Sequence, residues 1–231
     1  MRILPNTVAL CAALLLGACV SAPQQPIQLA QDTISAQSGR IGVAMTKVPD
    51  VDTHLPGAGC LLCMAAASAA NSALTDYAKT LSHEDLPRLK DDVAQLLTKR
   101  GTNAIVIAET LDLGGLSNSS SEGSNVAKKD FTPLQKKYGV DRLLVINVTA
   151  LGFERTYSAY IPTSEPKGLF RGTGYIVNLK NNTYEWYMPV QVLKSADKQW
   201  DEAPKFPGLT NAYYQALELG KDQFLKPFGQ P

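Results

Sequence analysis

Apolar and polar positions along the 231-residue chain fall into runs of two periods, separated by turn signals. Residues 40–45 (RIGVAM) are a short apolar run stopped by Pro49, which predicts a strand. In 61–81, Cys63, Ala67, Ala70, Leu74, Tyr77 and Leu81 recur at steps of three or four, which predicts an alanine-rich helix. Pro87 marks the first turn of a second helix running to about Arg100. Leu86, Leu89, Val93, Leu96 and Leu97 form its stripe, and Gly101 stands where a C-terminal glycine belongs. Residues 103–109 contain AIVIA, a continuous apolar run expected to be a strand covered on both faces. A short helix over 131–138 ends at Gly139, and 141–150 (DRLLVINVTA) is the strongest strand signal in the chain.

Beyond it, a polar and aromatic arm passes Tyr157 and Tyr160 towards two more strands. Residues 172–179 and 183–193 flank Lys180-Asn181-Asn182 as a hairpin would, and Pro189 marks the second as an edge or a bulge. A last helix over 209–224 places Leu209, Tyr213, Leu217, Gly220 and Phe224 on one face. The order β-α-α-β-α-β-β-β-α predicts an α/β (α+β) domain, a mixed sheet with helices packed on it. The stretch 114–125 (GGLSNSSSEGSN) reads as a loop inside that domain.

Composition narrows the function. The chain is 45% hydrophobic and 19% charged, with a net charge of +1. That is a globular balance without the clustered Lys and Arg that phosphate backbones need, so no nucleic-acid partner is expected. Two histidines, His54 and His83, leave little room for His-based catalysis or His-rich metal sites, and no metal or cofactor is called for.

The amino terminus changes the picture most. After Arg2, residues 7–17 are an apolar run too short to span a bilayer but suited to a signal peptide, and it ends Leu16-Gly17-Ala18-Cys19. This ending resembles the lipobox of bacterial lipoproteins. The resemblance implies cleavage before Cys19, thioether diacylation of its sulfur and acylation of the new amino terminus. Val20, rather than Asp, then implies the outer membrane. Two or more acyl chains make such attachment durable. Cleavage also removes Arg2, leaving 21 basic against 21 acidic residues, so charge would not hold the protein to anionic lipid. The expected organisation is a signal peptide over 1–18, a lipidated Cys19 with a flexible Gln/Ser/Ala/Pro tether over 19–38, and one periplasmic domain over 39–231. A lipobox, a tether, GRIGVAM, GTNAIVIAE, DRLLVINV and a terminal hairpin together resemble the αβ domains of periplasmic lipoproteins. Among these are the TolB amino-terminal domain, the activator lipoproteins of penicillin-binding proteins and the curli secretion lipoprotein.

Cys60-Leu61-Leu62-Cys63 is the sharpest local motif, and that group does not require it. At a helix N-terminus such a pair favours a reactive thiolate. Four readings stand: a structural disulfide, which is preferred, unpaired thiols, a redox pair or a metal site. A bridge would need Cys60 at or just before the helix cap, since side chains at i and i+3 inside a regular helix lie too far apart. Dinucleotide fingerprints begin at Gly57 and Gly172 but lack the third glycine, and no hydrolase, P-loop or zinc-protease motif occurs. The expected function is therefore not enzymatic. The aromatics Tyr157, Tyr160, Tyr175, Tyr184, Trp186 and Tyr187 form a candidate partner-binding surface, with simple alternation placing Tyr184 and Trp186 together and Tyr187 opposite. The preferred function is a lipoprotein that binds or regulates an envelope protein. An oligomeric secretion or assembly subunit and a thiol oxidoreductase using Cys60 and Cys63 are the rivals.

Overall fold

The computed structural model describes residues 23–229, so the signal peptide and Cys19 lie outside the described residues. Its elements are β1 (Arg40–Met45), β2 (Val51–His54), α1 (Leu61–Ala70), α2 (Ser72–Ala78), α3 (Leu89–Lys99), β3 (Asn103–Val106) and α4 (Pro133–Tyr138), then β4 (Arg142–Glu154), β5 (Tyr157–Ser158), β6 (Ile161–Pro162), β7 (Lys167–Asn178), β8 (Thr183–Ser195) and α5 (Pro207–Leu225). The main sheet runs β3-β1-β4-β7-β8, with β2 continuing the β1 side of β4. Strands β1 and β2 lie parallel to β4, whereas β7 and β8 are antiparallel. This is the mixed α/β sheet with packed helices that the pattern predicts.

Each face of the sheet has its own core. Val43, Leu144, Ile146, Phe170, Ile176 and Trp186 meet Leu74, Leu89, Leu97, Tyr213 and Phe224 from α2, α3 and α5 on one side. On the other, Leu143, Val145, Tyr175 and Val177 meet Ile107, Phe131 and Leu134 from α4 and the long connection before it. Because both faces are covered, β4 reads as a continuous apolar run rather than an alternating one. On α5 the residues expected on the inner face are all buried, and Gly220 is needed there. A Cβ at that position would stand 2.3 Å from the Phe170 ring.

Several expectations are corrected. The helix expected over 61–81 breaks at Asn71, whose side-chain amide donates to the Ala67 carbonyl at 2.7 Å and to the Tyr157 hydroxyl at 2.6 Å. The run 103–109 is not covered on both faces: β3 ends at Val106, lies at the end of the sheet and is exposed or half-buried throughout. Its apolar length reflects Ile107, which drops into the second core. The short strand β2 was not legible, since Val51-Asp52-Thr53-His54 is only four residues long with no apolar run, and it is held by pairing with Leu151–Glu154 of β4. Strand β7 begins at Lys167, so much of the expected arm belongs to the sheet.

The tether is the largest correction. Ile27 exchanges both backbone hydrogen bonds with Tyr187 on the outer edge of β8, at 2.9 and 3.1 Å. Residues Gln31–Ile34 form a 3-10 turn, with Ile34 and Thr33 buried. Arg142 reaches the Ser38 carbonyl, and Thr102 donates to that of Ile34. Residues 27–38 are thus a strap across the domain rather than a free linker. Replacing Ile34 by Ala should cost about 2–5 kcal/mol. The thermal midpoint should then fall by roughly 5–15 °C, measured by circular dichroism. An unchanged midpoint would mean that the strap contributes nothing to the fold.

Candidate functional site

The six candidate aromatics divide among three places. Tyr175, Tyr184 and Tyr187 come together on the α4 side of the sheet. Their ring centroids lie 5.4 Å (Tyr175–Tyr184), 6.1 Å (Tyr175–Tyr187) and 5.3 Å (Tyr184–Tyr187) apart. Trp186 points through the opposite face, against Phe228 at 5.2 Å. Simple alternation fails because a bulge sits in β8. Ile176 pairs with Trp186 but Val177 pairs with Tyr184, leaving Glu185 as the extra residue. The bulged Glu185 is fixed by Arg142 and by Asn178, whose amide donates to it at 2.8 Å. That anchor turns Tyr184 to the face of Tyr187.

Tyr157 and Tyr160 lie on the β5–β6 hairpin, beyond the other end of β4. Tyr157 is buried, its hydroxyl accepting from Asn71 and its ring clustered with Ala58, Cys63 and Ala67. Tyr160, at the hairpin tip, is 67% exposed. Three of the six (Tyr157, Tyr175 and Trp186) are therefore core residues, and the set does not form one continuous surface.

Tyr184 and Tyr187 form one side of an open groove of about 790 Å³, with Tyr175 buried beneath them. Its other walls are Gln24 and Gln25, just before the strap, and Ser119, Ser121 and Glu122 of the serine-rich loop. That loop is tied down through Asn182, a buried hairpin-turn residue at φ 57°. Asn182 accepts from the Phe131 amide at 2.9 Å and donates to the Ala127 and Lys129 carbonyls at 3.2 and 2.9 Å. The sequence marks 181–182 as a turn but gives no sign that Asn182 pins a second loop. The groove mixes amide, hydroxyl and apolar side chains with one carboxylate, Glu122, and one ammonium, Lys128.

Burial raises the phenols of this trio. It pushes Tyr184 up to about 12, with Tyr187 adding to it, and it raises Tyr175 and Tyr187 as well. Such groups stay neutral at ordinary pH.

The second place of interest is the disulfide between Cys60 and Cys63. Cys60 is the exposed N-cap of α1 and Cys63 is buried in its first turn, which is the cap position that a bridge at this spacing needs. The Cys63 amide also donates to the Cys60 sulfur at 3.0 Å. Gly57, at φ 92°, lets the preceding loop pass against the hairpin, because a Cβ there would stand 1.9 Å from the Tyr157 carbonyl oxygen. Nearby, Glu154 is buried and paired with Arg171, an ion pair that fixes the end of β4 to β7. Among the described residues, no three His, Cys, Asp or Glu side chains are grouped to hold a metal ion. Among the same residues, no helix is long and apolar enough to cross a membrane.

No protein-family model matches the chain. No curated protein matches it either. Solved structures with a similar arrangement include protein XCC0632 from Xanthomonas campestris, at 12% identity over 90% of this chain and 91% of that chain, with a TM-score of 0.39. Another is the PelC dodecamer variant from Paraburkholderia phytofirmans, at 8% identity over 90% and 95%, TM-score 0.37. A third is lipoprotein GNA1162 from Neisseria meningitidis, at 14% identity over 78% and 98%, TM-score 0.27. These are distant likenesses of arrangement, and no activity or partner passes from them to this chain.

The tyrosine trio makes a pH prediction. Below pH 10 the phenols are neutral in folded and unfolded chains alike, so the stability tied to their neutral form is fully present. It is lost as pH rises through the raised folded values, about 12 for Tyr184. The thermal midpoint should therefore fall steeply above pH 10, and Tyr175→Phe should flatten that fall. Tyr213, also raised by burial, leaves a residual slope. Identical midpoint–pH curves for the two proteins would contradict the burial of Tyr175.

Proposed function

We propose that the chain is an outer-membrane lipoprotein, acylated on Cys19, whose αβ domain is a non-enzymatic module that binds or regulates another envelope protein. One observation carries the reading: from Ile27 onward the segment read as a tether is part of the fold. Ile27, fixed on β8, lies eight residues after Cys19, a span of at most about 28 Å. An anchor on so short a leash holds the β8 edge and the tyrosine groove close to the membrane. A module presented in a set position is suited to docking a neighbour in the same envelope. The aromatic surface is proposed in a narrower form, with Tyr184 and Tyr187 in the groove as partner contacts and Tyr160 as a separate one at the far hairpin.

Replacing Cys19 by Ala should leave the protein unprocessed or soluble, read by membrane fractionation and by the mass of the amino-terminal peptide. A variant that is still cleaved and still fractionates with the outer membrane would overturn the lipid anchor. In-cell photocrosslinking from position 187 should capture an envelope protein. Capture lost in Tyr184→Ala, with an unchanged melt, supports the groove as the contact.

The thiol oxidoreductase reading keeps one observation in its favour. Cys60 is exposed at a helix N-terminus and its sulfur already accepts an amide hydrogen bond, an arrangement that favours a thiolate after reduction. A reduction potential below about −300 mV marks a structural bridge, and one near −200 mV or higher marks a redox-active pair.

A further inference from the structure

The last residue of β4 belongs to a charged pair whose bonding capacity the fold leaves largely unused. Glu154 is only 7% exposed, yet a single one of its oxygens is engaged, Oε2, by Nη2 of Arg171. The second oxygen, Oε1, has no partner among the described residues, and neither do Nε and Nη1 of Arg171. A buried carboxylate usually fills its acceptor sites, and arginine has five N–H donors to place. Both side chains line an open cleft of about 420 Å³ between the end of β4 and α1. His54 and Ser68 add polar atoms to the same lining. His54 Nε2 lies 3.3 Å from the Leu151 carbonyl. A carbonyl only accepts, so Nε2 carries the proton and Nδ1 is left as an acceptor. Leu55, Pro56 and Met64 make the apolar part of the wall.

We propose that this cleft binds a free α-amino acid with an apolar side chain, its carboxylate on Arg171 and its ammonium on Glu154 Oε1 and His54 Nδ1. Charge and spacing select that class. The lining holds one carboxylate and one guanidinium, so a simple anion drawn to Arg171 also meets Glu154, and a simple cation meets the reverse. A ligand carrying both signs satisfies both groups. Because Glu154 and Arg171 are already in contact, the two ligand charges must stand side by side. In an α-amino acid they flank one carbon, whereas the two ends of a peptide are far apart. Bonds between ionised groups are the stronger kind, and a carboxylate this buried is sheltered from competing water. Other charges at this end of the molecule do not upset the balance. Arg155 is committed to the Ser164 carbonyl and to Asn71, and neither Lys167 nor Asp52 belongs to the lining. The apolar wall receives the ligand side chain, and the volume lies within the range of small-molecule sites. The cleft is separate from the tyrosine groove, and its test does not rest on the partner-binding reading.

The test is isothermal titration calorimetry of the full-length protein in detergent, with L-leucine and with D-leucine as probes. At least one of them should bind with a Kd below about 1 mM. The N-acetyl and amide derivatives of that leucine each lack one of the two charges, and each should bind at least about 10-fold more weakly. Arg171→Lys keeps the charge of the pair but loses the planar fork, and should also weaken binding at least about 10-fold. Ser68 is exposed on α1, so Ser68→Tyr should fill the cleft and abolish binding while keeping the wild-type thermal midpoint, which separates lost binding from lost fold. Absence of binding heat for both leucines at about 10 mM overturns the proposal. So does a derivative that binds as tightly as its parent, or an unchanged affinity in either variant.

Discussion

Hydrogen bonding along both edges of β4 is the constraint on which the rest of the molecule depends. One edge takes β1 over its first half and β2 over its last four residues, both parallel. The other edge takes β7 antiparallel along nearly the whole strand. A strand satisfied on both edges can be buried on both faces, and Leu143, Leu144, Val145 and Ile146 are all fully buried. Two cores follow from this, one under α2, α3 and α5 and one under α4 and its long connection. Parallel pairing also forces the crossover that carries α1, α2 and α3 between β1 and β4.

Two single-residue bulges then set which side chains reach which face. Thr149 is skipped between Val148 and Ala150 in the β4–β7 ladder, and Glu185 is skipped in the β7–β8 ladder. The second has the larger consequence, because a shift of one residue exchanges the faces of a strand. It gathers Tyr184 and Tyr187 over Tyr175 and sends Trp186 to the other core. Arg142, at the start of β4, bonds both the bulged Glu185 and the Ser38 carbonyl at the end of the strap. One side chain therefore ties strap, central strand and hairpin together near the tyrosine groove.

The molecule has two distinct ends. Tyr187 is level with Tyr175 and Val145 near the start of β4, whereas the hairpin and the disulfide-capped helix lie beyond Glu154. Nine residues of strand separate these levels, roughly 30 Å. The strap enters at the first end, and α1 lies at the other.

Local pattern was enough for much of this. The strand signal over 141–150, the amphipathic stripes of α3 and α5, the glycine stops at 101 and 139, the hairpin turn and the cap position of Cys60 all rest on interactions within a few residues of each other. The lipobox, too, is legible as a string of residues. What the pattern could not give were features decided by distant neighbours. Asn71 breaks a helix that alanine favours because Tyr157, 86 residues away, supplies a partner for its amide. Ile27 to Ser38 read as a linker because its few apolar residues are spaced too widely for any periodicity, and only the open edge of β8 and the crevice under Thr102 give them a place. The faces of Tyr184, Trp186 and Tyr187 turned on one bulged glutamate held by an arginine 43 residues earlier. Period and caps are local physics and can be read from sequence. Register, bulges and the burial of sparse apolar residues depend on which surfaces meet, and that was decided only when the chain closed on itself.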